Sequence, residues 1–224
     1  MFDRILRKLN FILLEFSVES LNRLKAVNPF DKLTLQFVKA NQEILRPYYE
    51  EYVSKVSRSD MAASLELAAF LFSVCKINQY TKLMDVGSGF SSFVFRLYAK
   101  QTPGVRVYSI DDDAKWLEKT KHYLNEHSLN TDDMLTVEDF MQLNEGGFDC
   151  ILHDMNFVEV RIQYVDFVFR SAKKNGLIIM DDVHKMDYRF ALLKKLKPLE
   201  ASCFTLRDMT KDNFGRFAYA VLKK

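Results

Sequence analysis

The sequence predicts an α/β fold: a doubly wound, mostly parallel seven-stranded sheet preceded by an N-terminal helical extension. Residues 82–224 alternate short apolar runs with segments of helical spacing, and all seven glycines fall in this part. Residues 1–80 contain no glycine and show helical spacing instead. Strands that alternate with helices form parallel sheets covered on both faces. We therefore expect residues 1–58 to form a helical extension or lid and residues 59–224 to form the α/β domain.

The composition is typical of one globular domain. The chain is 48% hydrophobic, which is enough to form one sizeable core. Its 224 residues are too few for two ordinary domains. The net charge of +2, without long blocks of like charge, predicts no nucleic-acid partner. Cys75, Cys150 and Cys203 are scattered, as expected of buried free thiols in a reducing compartment. No run approaches the ~20 apolar residues of a membrane span, so a cytoplasmic location is expected.

The extension shows helical patterns with one marked break. An amphipathic first helix has an apolar face formed by Phe2, Ile5, Leu6, Leu9, Ile12, Leu13 and Phe16. Asn28-Pro29 predicts the break, followed by one helix over 31–45 and another after Pro47. Ser59-Asp60 caps a further helix. We expect the face of residues 2–16 to dock on the core, to form a homodimer, or to lie peripherally on a membrane, in that order.

Seven apolar runs in the second part have strand character. They span residues 82–86, 105–110, 134–137, 148–152, 177–180, 201–206 and 217–222. Helical spacing is found over residues 91–100, 116–123, 158–174 and 190–196. In such sheets ligands bind at the carboxyl ends of the strands, near the point where strand order reverses. The residues that follow each strand are therefore the candidates for chemistry.

The first strand runs into a loop with two glycines. Leu83-Met84-Asp85-Val86-Gly87-Ser88-Gly89 resembles the first motif of class I methyltransferases that use S-adenosylmethionine. The glycines permit a sharp turn and close approach of a ligand, and the acid suits a cationic sulfonium better than a pyrophosphate. The resemblance covers residues 60–224 and implies a Rossmann-like methyltransferase fold. It also implies that the loop binds the cofactor through Asp85, Gly87, Ser88, Gly89 and Ser91.

A nicotinamide-binding loop is the main alternative interpretation of this motif. Its fingerprint has a third glycine, G-x-G-x-x-G, where this sequence has Ser92. A dehydrogenase would also be expected to continue into a substrate domain. Residues 212–222 instead resemble the antiparallel hairpin with which class I methyltransferases end. The two observations favour the methyltransferase interpretation.

Acids after the second and third strands complete the predicted cofactor site. Asp111 ends the second strand about 20 residues beyond the loop, where an acid hydrogen-bonds ribose hydroxyls, and Asp112 is the second choice. Asp112 and Asp113 also suit a helix N-terminus. After the third strand, the resemblance implies that Asp139 accepts the adenine amino group and that Phe140 lies against the ring.

Acids and histidines follow the fourth and fifth strands, which neighbour each other in a doubly wound sheet. One expected use is a Mg²⁺ site, because Asp154, Asp181 and Asp182 resemble the acids of cation-dependent O-methyltransferases. That pattern has an acid where this sequence has His153. The other expected use is general-base catalysis without a metal. Its candidates are Asp154 and His184, with His153 as a further catalytic candidate.

The sequence as a whole predicts an S-adenosylmethionine-dependent methyltransferase. The overall pattern resembles enzymes of the Methyltransf_24 type, which implies O-methylation of a small molecule or sugar. Two alternatives stay open at this stage. One is a nicotinamide-dependent oxidoreductase, and the other is a non-catalytic scaffold of the same fold that binds the cofactor or a partner.

Overall fold

The computed structural model describes residues 30–224 and five earlier ones, Ile5, Leu6, Leu9, Ile12 and Leu13. These five residues are helical, and each is 45–65% exposed. The predicted docking of this apolar face on the core is therefore not found for them. Phe2 and Phe16 of the predicted face, and the predicted break at Asn28-Pro29, lie outside the described residues. Within the described part of the chain, every helix is too short or too polar to span a lipid bilayer.

Seven strands form one sheet, which confirms the predicted fold class. They are β1 (Lys82–Val86), β2 (Arg106–Asp111), β3 (Met134–Thr136), β4 (Phe148–His153), β5 (Ala172–Met180), β6 (Ala201–Thr205) and β7 (Tyr219–Lys223). Their order across the sheet is β3-β2-β1-β4-β5-β7-β6. Strand β7 is antiparallel to β5 and β6, and the other pairs are parallel. Strand order reverses between β1 and β4, so their carboxyl ends flank the expected ligand crevice.

Helices cover both faces of the sheet. Over residues 30–224 they are α1 (Leu35–Lys55), α2 (Leu65–Asn78), α3 (Phe90–Gln101), α4 (Ala114–Glu126), α5 (Val137–Gln142), α6 (Val158–Arg161), α7 (Val165–Ser171), α8 (Met186–Leu196) and α9 (Arg207–Thr210). A 3₁₀ turn, Ile162–Tyr164, joins α6 to α7. The Ser64 hydroxyl, rather than Ser59-Asp60, caps α2 by accepting from Leu67 N at 3.1 Å.

Two predicted helices differ from the observed ones. Pro47 lies inside the single helix α1 instead of separating two helices. Leu45 and Tyr52 are fully buried on either side of it, and this packing offsets the hydrogen bond that proline cannot donate. The predicted helix over 158–174 ends early, because β5 begins at Ala172, where it pairs with β4.

Helix α1 packs into the same hydrophobic core as the sheet. The ring of Tyr48 lies 5.0 Å from that of Phe93, and the ring of Tyr52 lies 5.3 Å from that of Phe90. Both phenylalanines belong to α3, which follows the glycine loop. The part of the extension that precedes residue 59 and is described by the structure therefore buttresses the loop from one side of the sheet.

Candidate functional site

A crevice of about 740 Å³ opens at the carboxyl ends of β1, β2, β4 and β5, which is the size range of small-molecule and cofactor sites. The loop between α1 and α2 also lines it. The predicted site residues that line the crevice are Gly87, Ser88, Gly89, Ser91, Asp111, Asp112, Asp154, Asp181 and Asp182. The predicted residues that lie outside its lining are Asp85, Asp139, Phe140, His153 and His184.

Asp85, at the carboxyl end of β1, holds the glycine loop from below. Its Oδ2 accepts hydrogen bonds from Ser92 Oγ at 2.5 Å and Ser91 Oγ at 3.0 Å. Ser92 Oγ in turn accepts from Gly89 N at 3.2 Å. Burial raises the pKa of Asp85 to about 7, against the lowering effect of the two hydroxyls. The structure thus shows Asp85 supporting the loop through the hydroxyls of Ser91 and Ser92.

At Gly87 the loop after β1 lies close to the backbone of the loop after β4. Its φ is +106°, a left-handed conformation that favours glycine. A Cβ at this position would lie 2.5 Å from the carbonyl oxygen of Asp154. Asp154 N donates to Val86 O at 2.8 Å, which ties the two loops together. A glycine is therefore required here by both backbone conformation and space.

Asp111, the last residue of β2, orders the middle of the glycine loop. Its Oδ2 accepts from Ser88 N at 2.6 Å, and its Oδ1 accepts from Asp113 N at 3.0 Å. Trp116 Nε1 donates to Ser88 O at 2.6 Å, so both backbone groups of Ser88 are held. Burial raises the pKa of Asp111. A carboxylate has about four lone-pair positions, so it can still accept from a ligand hydroxyl in the crevice.

Two aspartates and one phenylalanine were also predicted to contact the cofactor, and each lies in a different environment. Asp112 lies at the exposed rim of the crevice, where Asn156 Nδ2 donates to it at 2.7 Å. Asp139 is exposed, and Thr136 Oγ1 donates to its carboxylate at 2.8 Å at the start of α5. Phe140 is buried in the core, with its ring 5.6 Å from that of Tyr108. The assignment of Phe140 as an adenine contact is corrected, because its ring is already enclosed by core aromatics.

The carboxylates after β4 and β5 meet around an arginine that the sequence reasoning missed. Arg161 Nη2 lies 2.8 Å from Asp154 Oδ1, and Nη1 lies 3.5 Å from Asp182 Oδ2. The sequence held one sign of this role: the spacing of Arg161 from Val165 and Val168 places it on the same apolar helical face. A charged residue at a buried position of an amphipathic pattern is rarely left without a partner.

The pKa values of these acids differ because their surroundings differ. Burial and the neighbouring acids Asp181 and Asp182 raise the pKa of Asp154, although Arg161 opposes them. Burial and Asp182 raise the pKa of Asp181 to about 6. Burial would also raise the pKa of Asp182, but Arg161, Lys185 and His184 outweigh it and hold that pKa below the usual value. Of the two carboxylates that Arg161 joins, Asp154 is therefore more basic than Asp182.

The two predicted histidines do not face the crevice. His153 is fully buried, and its Nε2 lies 2.7 Å from Arg161 O, to which it donates. Burial lowers the pKa of His153 to about 3, so the ring is neutral, and its assignment as a catalytic residue is corrected to structural support of Arg161. His184 Nδ1 lies 3.4 Å from Asp182 Oδ1, and burial lowers the pKa of His184.

The residues after β4 and β5 do not fit the expected Mg²⁺ site. No group of three or more histidine, cysteine or acidic residues within the described chain is arranged to hold a metal ion. The guanidinium of Arg161 occupies the space between Asp154 and Asp182 that a bridging cation would need. The expectation that Asp154, Asp181 and Asp182 ligate a metal is therefore corrected.

Arg216 closes the other rim of the crevice and was also missed. It pairs with Asp212 at 2.6 Å, and its Nη atoms donate to the carbonyls of Ser59, Asp60 and Ala62 at 3.0–3.1 Å. These contacts fix the loop between α1 and α2 against the hairpin that precedes β7. The signal available was only an arginine in a turn, which does not identify partners more than 150 residues away.

Solved structures of similar fold include three bacterial and fungal methyltransferases. An O-methyltransferase from Bacillus cereus in complex with SAH matches with a TM-score of 0.64 and 14% identity, over 83% of this chain and 91% of that one. An O-methyltransferase from Streptomyces achromogenes involved in tomaymycin synthesis, in complex with SAM, matches at 0.60 and 12%, over 83% and 88%. An SAH-bound methyltransferase from Podospora anserina matches at 0.60 and 14%, over 89% and 98%. At these identities the likeness shows the fold.

The amino-acid sequence matches the model of a protein family. No curated protein sequence matches this chain significantly. The family model described as "Methyltransferase domain", Methyltransf_31, matches residues 77–220, a stretch that runs from the end of α2 into β7. That stretch contains all the strands whose ends line the crevice. The match therefore favours a methyltransferase over a nicotinamide-dependent oxidoreductase. The chain thus belongs to the Methyltransf_31 methyltransferase-domain family and is a class I methyltransferase.

Proposed function

We propose that this protein transfers a methyl group from S-adenosylmethionine to a hydroxyl of a small molecule or sugar, as the Methyltransf_24 resemblance implies. The observation that carries the cofactor assignment is the Asp111 carboxylate, buried at the crevice and bonded to the backbone of Ser88. An acid in this position of a doubly wound fold binds ribose hydroxyls. The SAM- and SAH-bound proteins of similar fold support the same assignment.

The residues of the crevice fit this cofactor. Bound S-adenosylmethionine supplies an electrophilic methyl group on a positively charged sulfur. Gly87 and Gly89 expose the backbone of the loop, so that a ligand can approach it closely. The Asp111 carboxylate places negative charge beside the loop, which favours a sulfonium or an ammonium group over a pyrophosphate there.

Asp154 is the candidate base for the acceptor hydroxyl. It lines the crevice directly above Gly87, and its side chain is 18% exposed. Its raised pKa brings it closer to the working pH, where a carboxylate removes a proton most effectively. Asp154 would orient the acceptor hydroxyl and take its proton, so that the oxygen could accept the methyl group that bound S-adenosylmethionine would supply. His184 stays a prediction as an alternative base.

Residues 1–58 are proposed to cover the acceptor side of the methyltransferase domain formed by residues 59–224. Tyr52 and Val53 of α1 line the crevice together with Met61 of the following loop. Met61 is 68% exposed, which suits an apolar rim that an acceptor would cover. Homodimerisation or peripheral membrane contact through the exposed face of Ile5, Leu6, Leu9, Ile12 and Leu13 stays a prediction.

Calorimetry with three ligands tests the proposal. SAM and SAH are expected to bind in the crevice. NAD is expected not to bind, because the loop has Ser92 in place of the third glycine of the nicotinamide fingerprint. Binding of NAD without binding of SAH would contradict the cofactor assignment. Binding of SAH without methylation of any hydroxyl in a broad acceptor panel would favour the scaffold alternative.

Asp111→Asn is expected to weaken SAH binding about 10- to 100-fold, because a hydrogen bond to a charged group contributes roughly 1.5–3 kcal/mol. In asparagine an NH₂ group replaces one of the two accepting oxygens. That group would face the N–H of Ser88 or Asp113, and the loss of this hydrogen bond loosens the loop. Asp166→Asn, an exposed acid that pairs with Lys195 outside the crevice lining, is the matched control and should bind SAH as wild type does. Equal losses in the two variants would show that Asp111 has no special contact.

A further inference from the structure

Arg161 is a buried cation at the carboxyl ends of β4 and β5. Its side chain is 3% exposed, and it lines the crevice. The guanidinium lies between a carboxylate from each strand end, with 2.8 Å from Nη2 to Asp154 Oδ1 and 3.5 Å from Nη1 to Asp182 Oδ2. A positive charge thus stands at the junction of the cofactor crevice and the acids that follow the two strands.

The same guanidinium also holds the backbone around it. Nε donates to Met155 O at 3.2 Å, Nη2 donates to Asn156 O at 3.0 Å, and Nη1 lies 3.3 Å from Asp181 O, to which it donates. All three nitrogens are therefore engaged with loops from two different strands. This use of a planar fork is specific to arginine, because a lysine ammonium has a single nitrogen to place.

Arg161 is itself fixed in position from the side away from the crevice. Its carbonyl accepts the hydrogen bond from buried His153. The ring of Tyr188, a buried residue of α8, lies 5.8 Å from the guanidinium carbon. The arginine is therefore held by main chain, imidazole and ring together, and the position of Asp154 depends on it.

A divalent cation shared by Asp154 and Asp182 would require the carboxylate oxygens that Arg161 now engages. A metal ion added beside Arg161 would also place two positive charges together in a buried site, which is costly. We propose that Arg161 is the built-in cation of this site, a positioning residue that fixes Asp154 against Asp182 in place of a divalent metal ion. Its effect on the acceptor rests on the proposed methyl transfer, whereas its exclusion of metal does not.

The test combines metal titration with kinetics. Wild type, Arg161→Ala and the exposed control Arg170→Ala are titrated with MgCl₂, MnCl₂ and CaCl₂ by calorimetry and thermal unfolding. SAH affinity and methyl transfer are measured with and without EDTA. We expect no metal binding and no effect of EDTA for wild type and Arg170→Ala.

For Arg161→Ala we expect kcat to fall by about 100-fold, since a misplaced catalytic group costs that much, while SAH affinity stays close to wild type. The two freed carboxylates, Asp154 and Asp182, should then bind Mn²⁺, which raises the melting temperature and restores part of kcat. Stoichiometric metal binding to wild type, loss of wild-type activity in EDTA, or wild-type kcat in metal-free Arg161→Ala would overturn the proposal. Failure of every cation to bind folded Arg161→Ala would overturn it as well.

Arg161→Lys keeps the test decisive if the alanine variant does not fold. It retains the charge and loses the fork, so we expect a lower kcat with little change in SAH affinity, and an unchanged kcat would overturn the proposal. A wild type that binds neither SAM nor SAH would end the proposed function. The metal titration of wild type would still decide whether Arg161 excludes a cation.

Discussion

Asp154→Asn is expected to lower kcat by about 100- to 10,000-fold, the range that a positioned general base contributes. The substitution keeps the shape of the side chain and an oxygen for Arg161, while it removes the ability to take a proton. Because Asp154 does not support the loop through its side chain, SAH affinity should stay near that of wild type. Kinetics with a methylated acceptor and calorimetry with SAH measure the two effects separately.

Asp166→Asn is the matched control, since Asp166 is exposed and pairs with Lys195 far from the crevice. It should leave kcat, KM and SAH affinity unchanged. Wild-type kcat in Asp154→Asn would exclude this residue as the base. A loss of SAH affinity equal to the loss of activity would instead make it a cofactor ligand.

The pH profile gives a second measurement of the same residue. The pKa of Asp154 is raised by burial and by Asp181 and Asp182, and the base must be ionised. As the pH falls through this raised pKa, the carboxylate is protonated and kcat/KM is expected to decrease. The acid limb should therefore lie above the usual range of an aspartate and disappear in Asp154→Asn. An unchanged acid limb in that variant would assign it to another group.

Gly87→Ala is expected to abolish measurable SAH binding and to lower the stability of the fold. A Cβ at Gly87 would lie 2.5 Å and 2.6 Å from the carbonyl oxygen and carbon of Asp154, and 2.7 Å from the Cα of Met155. These are backbone atoms, so the β1 and β4 loops must separate. The left-handed conformation and the overpacking each cost about 1–3 kcal/mol.

Gly104→Ala is the matched control for this substitution. Gly104 also has a positive φ, +83°, but no atom lies within 4 Å of its Cβ position. It should show the conformational cost of about 1 kcal/mol without any change in SAH binding. Urea unfolding and SAH calorimetry of the two variants separate strain from contact. Normal SAH binding by Gly87→Ala would show that the two loops do not form the cofactor site together.

The predicted sheet agrees with the structure because strand and helix periods are local properties of the chain. The run from Leu83 to Val86 is buried on both faces and reads as a strand from its residues alone. Its C-terminal loop follows from Gly87, whose conformation few other residues adopt. Asp111 was placed correctly at the end of β2 because the apolar run over residues 105–110 marks the strand that it ends.

The errors have a common physical cause. Phe140 follows a predicted strand just as Asp111 does, but the short helix α5 turns its ring into the core beside Tyr108. Pro47 is a helix breaker by local rules, yet the burial of Leu45 and Tyr52 outweighs those rules. In each case packing against residues far away in the chain decided an orientation or an end point that local pattern cannot specify.

The sequence by itself determined the α/β class, the glycine loop and the acids at the ends of the strands, because these depend on residue type and on spacing within short segments. Only the tertiary structure decided that Arg161 lies between Asp154 and Asp182, and that His153 supports this arginine from the core. Those relations join segments that the fold brings together across neighbouring strands. A guanidinium pairs with carboxylates that the fold brings near it in space, and the separation of these residues along the chain does not predict the pairing.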